Sequence, residues 1–312
     1  SAPDSGCVPA FDAVNFAGSF ILKGDGVHTI SNICMENTAM ADSYGMFNVA
    51  EHELVVRNLR FRNIRADAKG AKYFGLLAGR VDGNLRLENV LFENVRVNVD
   101  SASSFAGGLV GIVSPPEEGP EKGKAVLSNV IVSDFVVNSS SKKAVGGLVG
   151  YVQDSLTVML SSIRLSMEQG RIDGEVDANT ALFGGVVGMA NNMTQFIMDT
   201  LNVEISIAGD FDANTEVVNI GGVAGKIASG GFLAADAVVS GNIKASSSTL
   251  FDTDHFFATV FYVGGLVGQW KAVNSDTFWV NGGSVNVNIG MDSLVVPFLG
   301  VGGFLGNAFA DD

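Results

Sequence analysis

The sequence predicts an all-β chain folded as one parallel β-helix of about eight coils. Three observations carry that expectation. A short glycine-hydrophobic phrase returns seven times: Phe74-Gly-Leu-Leu-Ala-Gly79, Gly107-Gly-Leu-Val-Gly111, Gly146-Gly-Leu-Val-Gly150, Gly184-Gly-Val-Val-Gly188, Gly221-Gly-Val-Ala-Gly225, Gly264-Gly-Leu-Val-Gly268 and Gly302-Gly-Phe-Leu-Gly306. Between the phrases, apolar and polar residues alternate with period two. Nowhere does a helical period persist. Self-similarity at a spacing of tens of residues marks a solenoid, in which each repeat buries its apolar face only against its neighbours.

Taken in order, residues 1–50 form a distinct N-terminal coil or cap, and residues 51–312 the repeated coils of the same single domain, 1–312. The first coil reads Phe16-Ala-Gly-Ser-Phe-Ile-Leu-Lys-Gly24-Asp-Gly26-Val-His28-Thr-Ile30-Ser-Asn-Ile33 and leads into Tyr44-Gly-Met-Phe47. Both cysteines of the chain, Cys7 and Cys34, lie here. A disulfide between them would pin the N-terminal segment and imply an oxidising compartment; two buried thiols are the other reading. The strands follow. Leu54-Val-Val-Arg-Asn-Leu59-Arg-Phe61-Arg-Asn-Ile64 alternates, as do Leu85-Arg-Leu-Glu-Asn-Val90, Val126-Leu-Ser-Asn-Val130-Ile-Val132, Leu201-Asn-Val203-Glu-Ile205-Ser-Ile207 and Ser284-Val-Asn-Val287-Asn-Ile289. Such alternation with β-branched residues reads as half-buried strands, about three per repeat.

Corners separate the strands. Asn58, Asn63, Asn89, Asn94 and Asn129 each stand just before an apolar residue. Asparagine tolerates left-handed backbone angles and suits a tight bend. The glycine phrase supplies another corner, where small residues let neighbouring coils approach. One apolar residue per phrase then stacks inside: Leu76, Leu109, Leu148, Val186, Val223, Leu266 and Phe304. The closing glycines fall 32 to 43 residues apart, which suggests fixed strands and one variable loop per repeat. At one strand spacing per coil the stack would make a rod roughly 40 Å long. A β-sandwich with glycine-rich turns would not require one phrase seven times over.

The order of these phrases resembles proteins with GLUG-motif repeats. That family opens on a phrase like the one from Phe16 to Ile33, follows it with a G-L-F-G-like corner, then strand pairs ending in Asn-Val, then repeated G-G-L-V-G. Lys23, Val27 and Asn48 depart from the pattern. The resemblance implies a right-handed parallel β-helix from a bacterial secreted or surface protein, adhesin-like or a non-catalytic repeat region. It implies no active site.

Net charge is −14, a surface that repels phosphate backbones and anionic lipid. Nucleic acid and membrane insertion are therefore not expected, and no apolar run reaches bilayer length. The acidity serves solubility, or tolerates cations and neutral sugars. The start at Ser1 fits a chain whose signal peptide has been removed, or an artificial start.

Chemistry is sparse. His52-Glu-Leu-Val-Val56 lacks the second histidine of a zinc protease, and His28 and His255 are distant in sequence. His28 reads as a structural hydrogen-bonder. No G-x-S-x-G elbow and no Walker loop occurs. Polysaccharide cleavage needs paired carboxylates on one face; Asp173, Glu175, Asp177, Asp210, Asp212, Asp252 and Asp254 fall between strands, where solvated turn acids are ordinary. Asp210-Phe-Asp212-Ala-Asn214 has calcium-like spacing without the glycine and glutamate of an EF-hand. Apart from that candidate at Asp210, Asp212 and Asn214, no cofactor is expected. Trp270, Trp279, Phe256, Phe257, Phe261 and Tyr262 form either a sugar-stacking or protein-contact patch, or a C-terminal core. Asn138-Ser-Ser140 and Asn192-Met-Thr194 are glycosylation sequons, a motif common by chance.

The expected function is a non-catalytic extracellular structural or adhesive protein. Its partners would be copies of itself, end to end, or a host or surface glycan or protein. Val301, Phe304 and Phe309, in and beside the last phrase, are the expected assembly interface; a downstream domain removed from that open edge is the other reading. A polysaccharide-binding or polysaccharide-cleaving β-helix is the alternative.

Overall fold

A computed structural model describes residues 8–9, 14–16, 19–37, 40–100, 103–116, 123–140, 143–169, 180–210, 217–246, 260–273, 276–292 and 298–311. Every regular element among them is a strand. They form two sheets, of 19 and 8 strands, and pair in parallel. The all-β expectation therefore holds, and so does parallel pairing.

What repeats in sequence pairs in space. In the larger sheet, Leu54 stands opposite Leu85, which stands opposite Ala125; the same column continues through Leu156, Phe196 and Phe232 to Phe278. A second column runs Ile30, Phe61, Phe92, Val132, Ile163, Val203, Val239 and Val285. Period-two alternation makes these columns internal. In Ala78–Val99, Leu85, Leu87, Val90, Phe92, Val95 and Val97 are buried while Arg86, Glu88 and Arg96 face out. Stacking brings like against like: the Phe61 and Phe92 rings lie 4.9 Å apart and nearly parallel, a stacked arrangement whose attraction adds to the burial of their area.

The smaller sheet takes one strand from each repeat. Its strands are Ala41–Tyr44, Ala71–Phe74, Phe105–Gly107, Ala144–Gly146, Thr180–Gly184, Val217–Gly221, Val260–Gly264 and Phe298–Gly302, neighbours in that order. Each ends at the glycine phrase, after which the chain bends and enters the larger sheet.

The asparagines occupy corners as expected, with φ between 52° and 54° at Asn58, Asn63, Asn89, Asn94 and Asn129. They also do something alternation does not reveal. Asn89 Nδ2 donates to Asn58 Oδ1 at 3.0 Å and Asn129 Nδ2 to Asn89 Oδ1 at 2.9 Å. A parallel file joins Asn32, Asn63 and Asn94 at 3.1 and 2.8 Å. The amides thus bridge repeats as well as permitting the bend. Replacing Asn89 by alanine removes the side-chain amide that makes the left-handed region tolerable and with it two amide bonds. We expect a loss of about 2 kcal/mol in urea unfolding, with Asn89→Gly milder. Equal losses for the two variants would show that backbone conformation contributes nothing.

At the start of the chain, Val8–Pro9 pairs with Thr29–Asn37 and sets Pro9 opposite Cys34. Cys7 lies outside the described residues.

Candidate functional site

The glycine phrase forms a contact between neighbouring repeats. Its second glycine lies where neighbouring repeats touch. A Cβ placed on Gly108 would fall within 3.0 Å of the Gly147 carbonyl oxygen; the same holds for Gly147 with Gly185, Gly185 with Gly222, Gly222 with Gly265, and Gly265 with Gly303. Opposite-wall side chains also press on this position: Phe135 on Gly108, Leu165 on Gly147 and Ile205 on Gly185. Only a residue without a side chain allows both approaches. Gly303 differs, since a Cβ there would meet nothing within 4 Å.

The interior residue of the phrase shows the same contrast. Leu109, Leu148, Val186 and Val223 are fully buried and Leu266 is 1% exposed, but Phe304, in the equivalent place, is 49% exposed. This corrects the expectation that Phe304 lies in the core. A second correction concerns the first phrase. Ala78 pairs with Val110, and the Leu77 amide donates to the Leu109 carbonyl. The stacked residue there is Leu77; Leu76, also buried, takes the place of the second glycine.

Phe304 belongs to a wider face. Phe278–Asn281, Ser284–Asp292, Phe298–Gly302 and Leu305–Asp311 each pair with one earlier strand. Among the described residues their other edges are unpaired. Val301 and Leu299 are 51% and 52% exposed. Phe309 is also exposed, with the Lys271 ammonium 5.8 Å from its ring centre. Val301, Phe304 and Phe309 are therefore all exposed, in or between the last two strands, whose other edges are unpaired among the described residues. An exposed row of unpaired backbone groups is a template for another strand. At the far end of the smaller sheet, Ala41–Tyr44 likewise pairs with one strand, Ala71–Phe74.

Elsewhere the candidates disperse. His28 Nδ1 lies 2.6 Å from Asp25 Oδ2 in an exposed turn. The backbone N–H groups of His28 and Val27 hold the Asp25 carboxyl down to about 2. His52 is a corner residue at φ 72°, and His255 lies outside the described residues. So do Asp212, Asn214 and the side chain of Asp210, together with Asp173, Glu175, Asp177, Asp252 and Asp254. The C-terminal aromatics divide between core and surface. Phe261 is buried, Trp270 donates to the Gly230 carbonyl at 3.1 Å, and Trp279 is exposed; Phe256 and Phe257 are outside the described residues. Asn138 of the first sequon donates Nδ2 to Asn98 Oδ1 at 2.8 Å. The side chain of Asn192 is not among those described.

Burial acts on a few titratable groups along the walls. It raises the Tyr151 and Tyr44 hydroxyls and lowers the Lys226 ammonium, the last reinforced by Lys271. Sequence spacing did not single out Arg96, Arg164 or Glu204, which the strand register brings to one side of the larger sheet. The legible signal was a corner residue missing between Ile163 and Leu165.

No family model, curated protein or solved structure matches the chain.

Proposed function

We propose that this chain is a non-catalytic extracellular scaffold, a single right-handed parallel β-helix that stacks end to end through the face holding Val301, Phe304 and Phe309. Eight strands in the smaller sheet, one per repeat, support eight coils. Handedness and a bacterial surface setting rest on the likeness to GLUG-motif repeats. Placement of Pro9 opposite Cys34, with no free cysteine among the described residues, supports a Cys7–Cys34 disulfide and an oxidising compartment.

The observation that carries the stacking is the space at Gly303. Each earlier second glycine is roofed by the carbonyl of the next coil, and Gly303 alone offers that berth unfilled among Gly108, Gly147, Gly185, Gly222, Gly265 and itself. A second copy can fill it, because its first coil carries the related corner Tyr44-Gly45-Met46-Phe47 on an open strand. Head-to-tail contact of this kind is heterologous and propagates.

Gly303→Ala is the clean test. Its Cβ meets nothing within 4 Å among the described residues, so thermal melting of the monomer is unchanged or slightly raised. In a stack the same Cβ meets the carbonyl of the neighbour. Wild-type chain should form concentration-dependent oligomers by light scattering and rods by negative-stain microscopy; Gly303→Ala should remain monomeric. A wild type that stays monomeric at all concentrations, or a variant that assembles equally, would sink the reading.

A further inference from the structure

The outer wall of the larger sheet changes shape partway along. In four successive repeats a corner residue, Asn32, Asn63, Asn94 or Asp134, turns the chain with φ between 51° and 60°. The next repeat lacks it. Val132 pairs with Ile163 and Phe135 with Leu165, so Ser133 and Asp134 together oppose the single residue Arg164. From there Ser162–Gln169, Asn202–Asp210, Val238–Ser246 and Ser284–Asp292 keep an unbroken register. A wall that bends in one half and runs straight in the other has a step. That step is a notch of about 530 Å³, rimmed by Asn94 and Asp134 and floored by the strand segments that follow those corners together with the straight strands.

The floor is polar and regularly spaced. Arg96, Val136, Ser166, Ser206 and Asn242 are consecutive register partners, so their side chains follow one another at about 4.8 Å. That interval is close to the rise of one pyranose in a linear glycan. Three of the five offer hydroxyl or amide groups, and all five line the notch. The neighbouring column contributes Arg164 and Glu204, paired at 2.7 Å.

Charge narrows the ligand. Arg57, Arg62, Arg65, Arg80 and Arg164 all face carboxylates within 3.4 Å. Arg96 makes no ion pair among the described residues and is exposed at the head of the polar column. A guanidinium presents a planar fork matched to a carboxylate. Yet the chain carries a net −14, and Asp134 and Glu204 border the same notch. A dense polyanion would be repelled there, whereas one carboxylate among many hydroxyls would not.

We propose that this notch binds a uronic-acid-containing oligosaccharide, with Arg96 taking a carboxylate and Ser166, Ser206 and Asn242 taking ring hydroxyls. The inference goes beyond the scaffold role and does not depend on stacking: assembly is read by scattering, this site by calorimetry.

The full chain is titrated with short neutral oligosaccharides carrying a single galacturonate, mannuronate or glucuronate, with the methyl ester of whichever binds, and with a heparin fragment. At least one uronate should bind. Its neutral ester should bind about tenfold more weakly, the value of one charge-assisted pair. Arg96→Gln, at an exposed position, should weaken the uronate about tenfold and leave the ester unchanged, so the two losses do not add. Ser206→Ala should weaken acid and ester alike. Failure of every uronate to bind, equal loss of acid and ester on Arg96→Gln, or stronger binding of the heparin fragment would each overturn the proposal. An unchanged melting curve for Arg96→Gln keeps loss of binding separate from loss of fold.

Discussion

Leu148→Asp should reduce and broaden the unfolding transition, while Phe304→Asp should leave the monomer's stability within about 0.5 kcal/mol of wild type. Both residues occupy the interior slot of a glycine phrase, and sequence alone treats them as equivalent. Leu148 is fully buried between Leu109 and Val186, joined to each by backbone hydrogen bonds. Losing its apolar burial costs about 1.5–3 kcal/mol. Leaving an uncompensated charge in its place adds about 3–5 kcal/mol. Together these approach the whole stability of an ordinary domain, about 5–15 kcal/mol. Because each repeat contacts chiefly its neighbours, the damage should first appear as loss of the central repeats, with far-UV circular dichroism and urea unfolding reporting a reduced and broadened transition. At position 304, half exposed, the introduced aspartate presents its carboxylate to water. A wild-type unfolding curve for Leu148→Asp would refute the interior column.

The pattern of strands and most corners was legible because it depends on local chemistry. Alternation in Leu85–Val90 needs only the pleat, and asparagine before an apolar residue needs only its tolerance of left-handed angles. What escaped depends on neighbours far away in sequence. Leu160, Thr200 and Asp236 adopt φ of 48°, 51° and 47° in the same column as Asn129, one residue after the register partners Met159, Asp199 and Ala235. A leucine or a threonine does not seek that conformation; the stacked corner beside it imposes it. Leu76 and Leu77 read alike in the first phrase, and only the pairing of Ala78 with Val110 says which of them stacks. Phe304 repeats Leu266 in sequence, but Leu266 is covered by the neighbouring repeat that holds Phe304, and such cover is a long-range contact no local pattern reports. The notch at Arg96 arises from one corner residue missing in the repeat of Arg164, two repeats away from Arg96 itself. The calcium candidate at Asp210, Asp212 and Asn214 lies in a segment whose side chains fall outside the described residues, so its spacing stays an expectation.

Gly147→Ala and Gly303→Ala separate two reasons for keeping glycine in the phrase. Neither glycine has φ in the left-handed region, so an alanine suffers no intrinsic backbone strain at either place. If the phrase needed glycine for the bend itself, the two variants would behave alike. At Gly147 the added methyl falls within 3.0 Å of both the Gly185 carbonyl oxygen and Leu165 Cδ2. The leucine can rotate, but the carbonyl is fixed by the ladder. Gly147 N donates to Gly184 O at 2.9 Å and Val149 N to Val186 O at 2.9 Å. Relieving the clash means moving one repeat away from the next and stretching those bonds together. Overpacking costs about 1–3 kcal/mol and each buried bond left unmade a similar amount, so a loss of at least about 3 kcal/mol is expected in urea unfolding. Gly303→Ala, measured on unassembled chain, should be neutral or up to about 1 kcal/mol stabilising, through the reduced freedom of the unfolded state. The difference between the two is the energetic value of the close approach between adjacent repeats. Equal effects would assign the glycines to the turn and remove the close-packing argument on which the role of Gly303 depends.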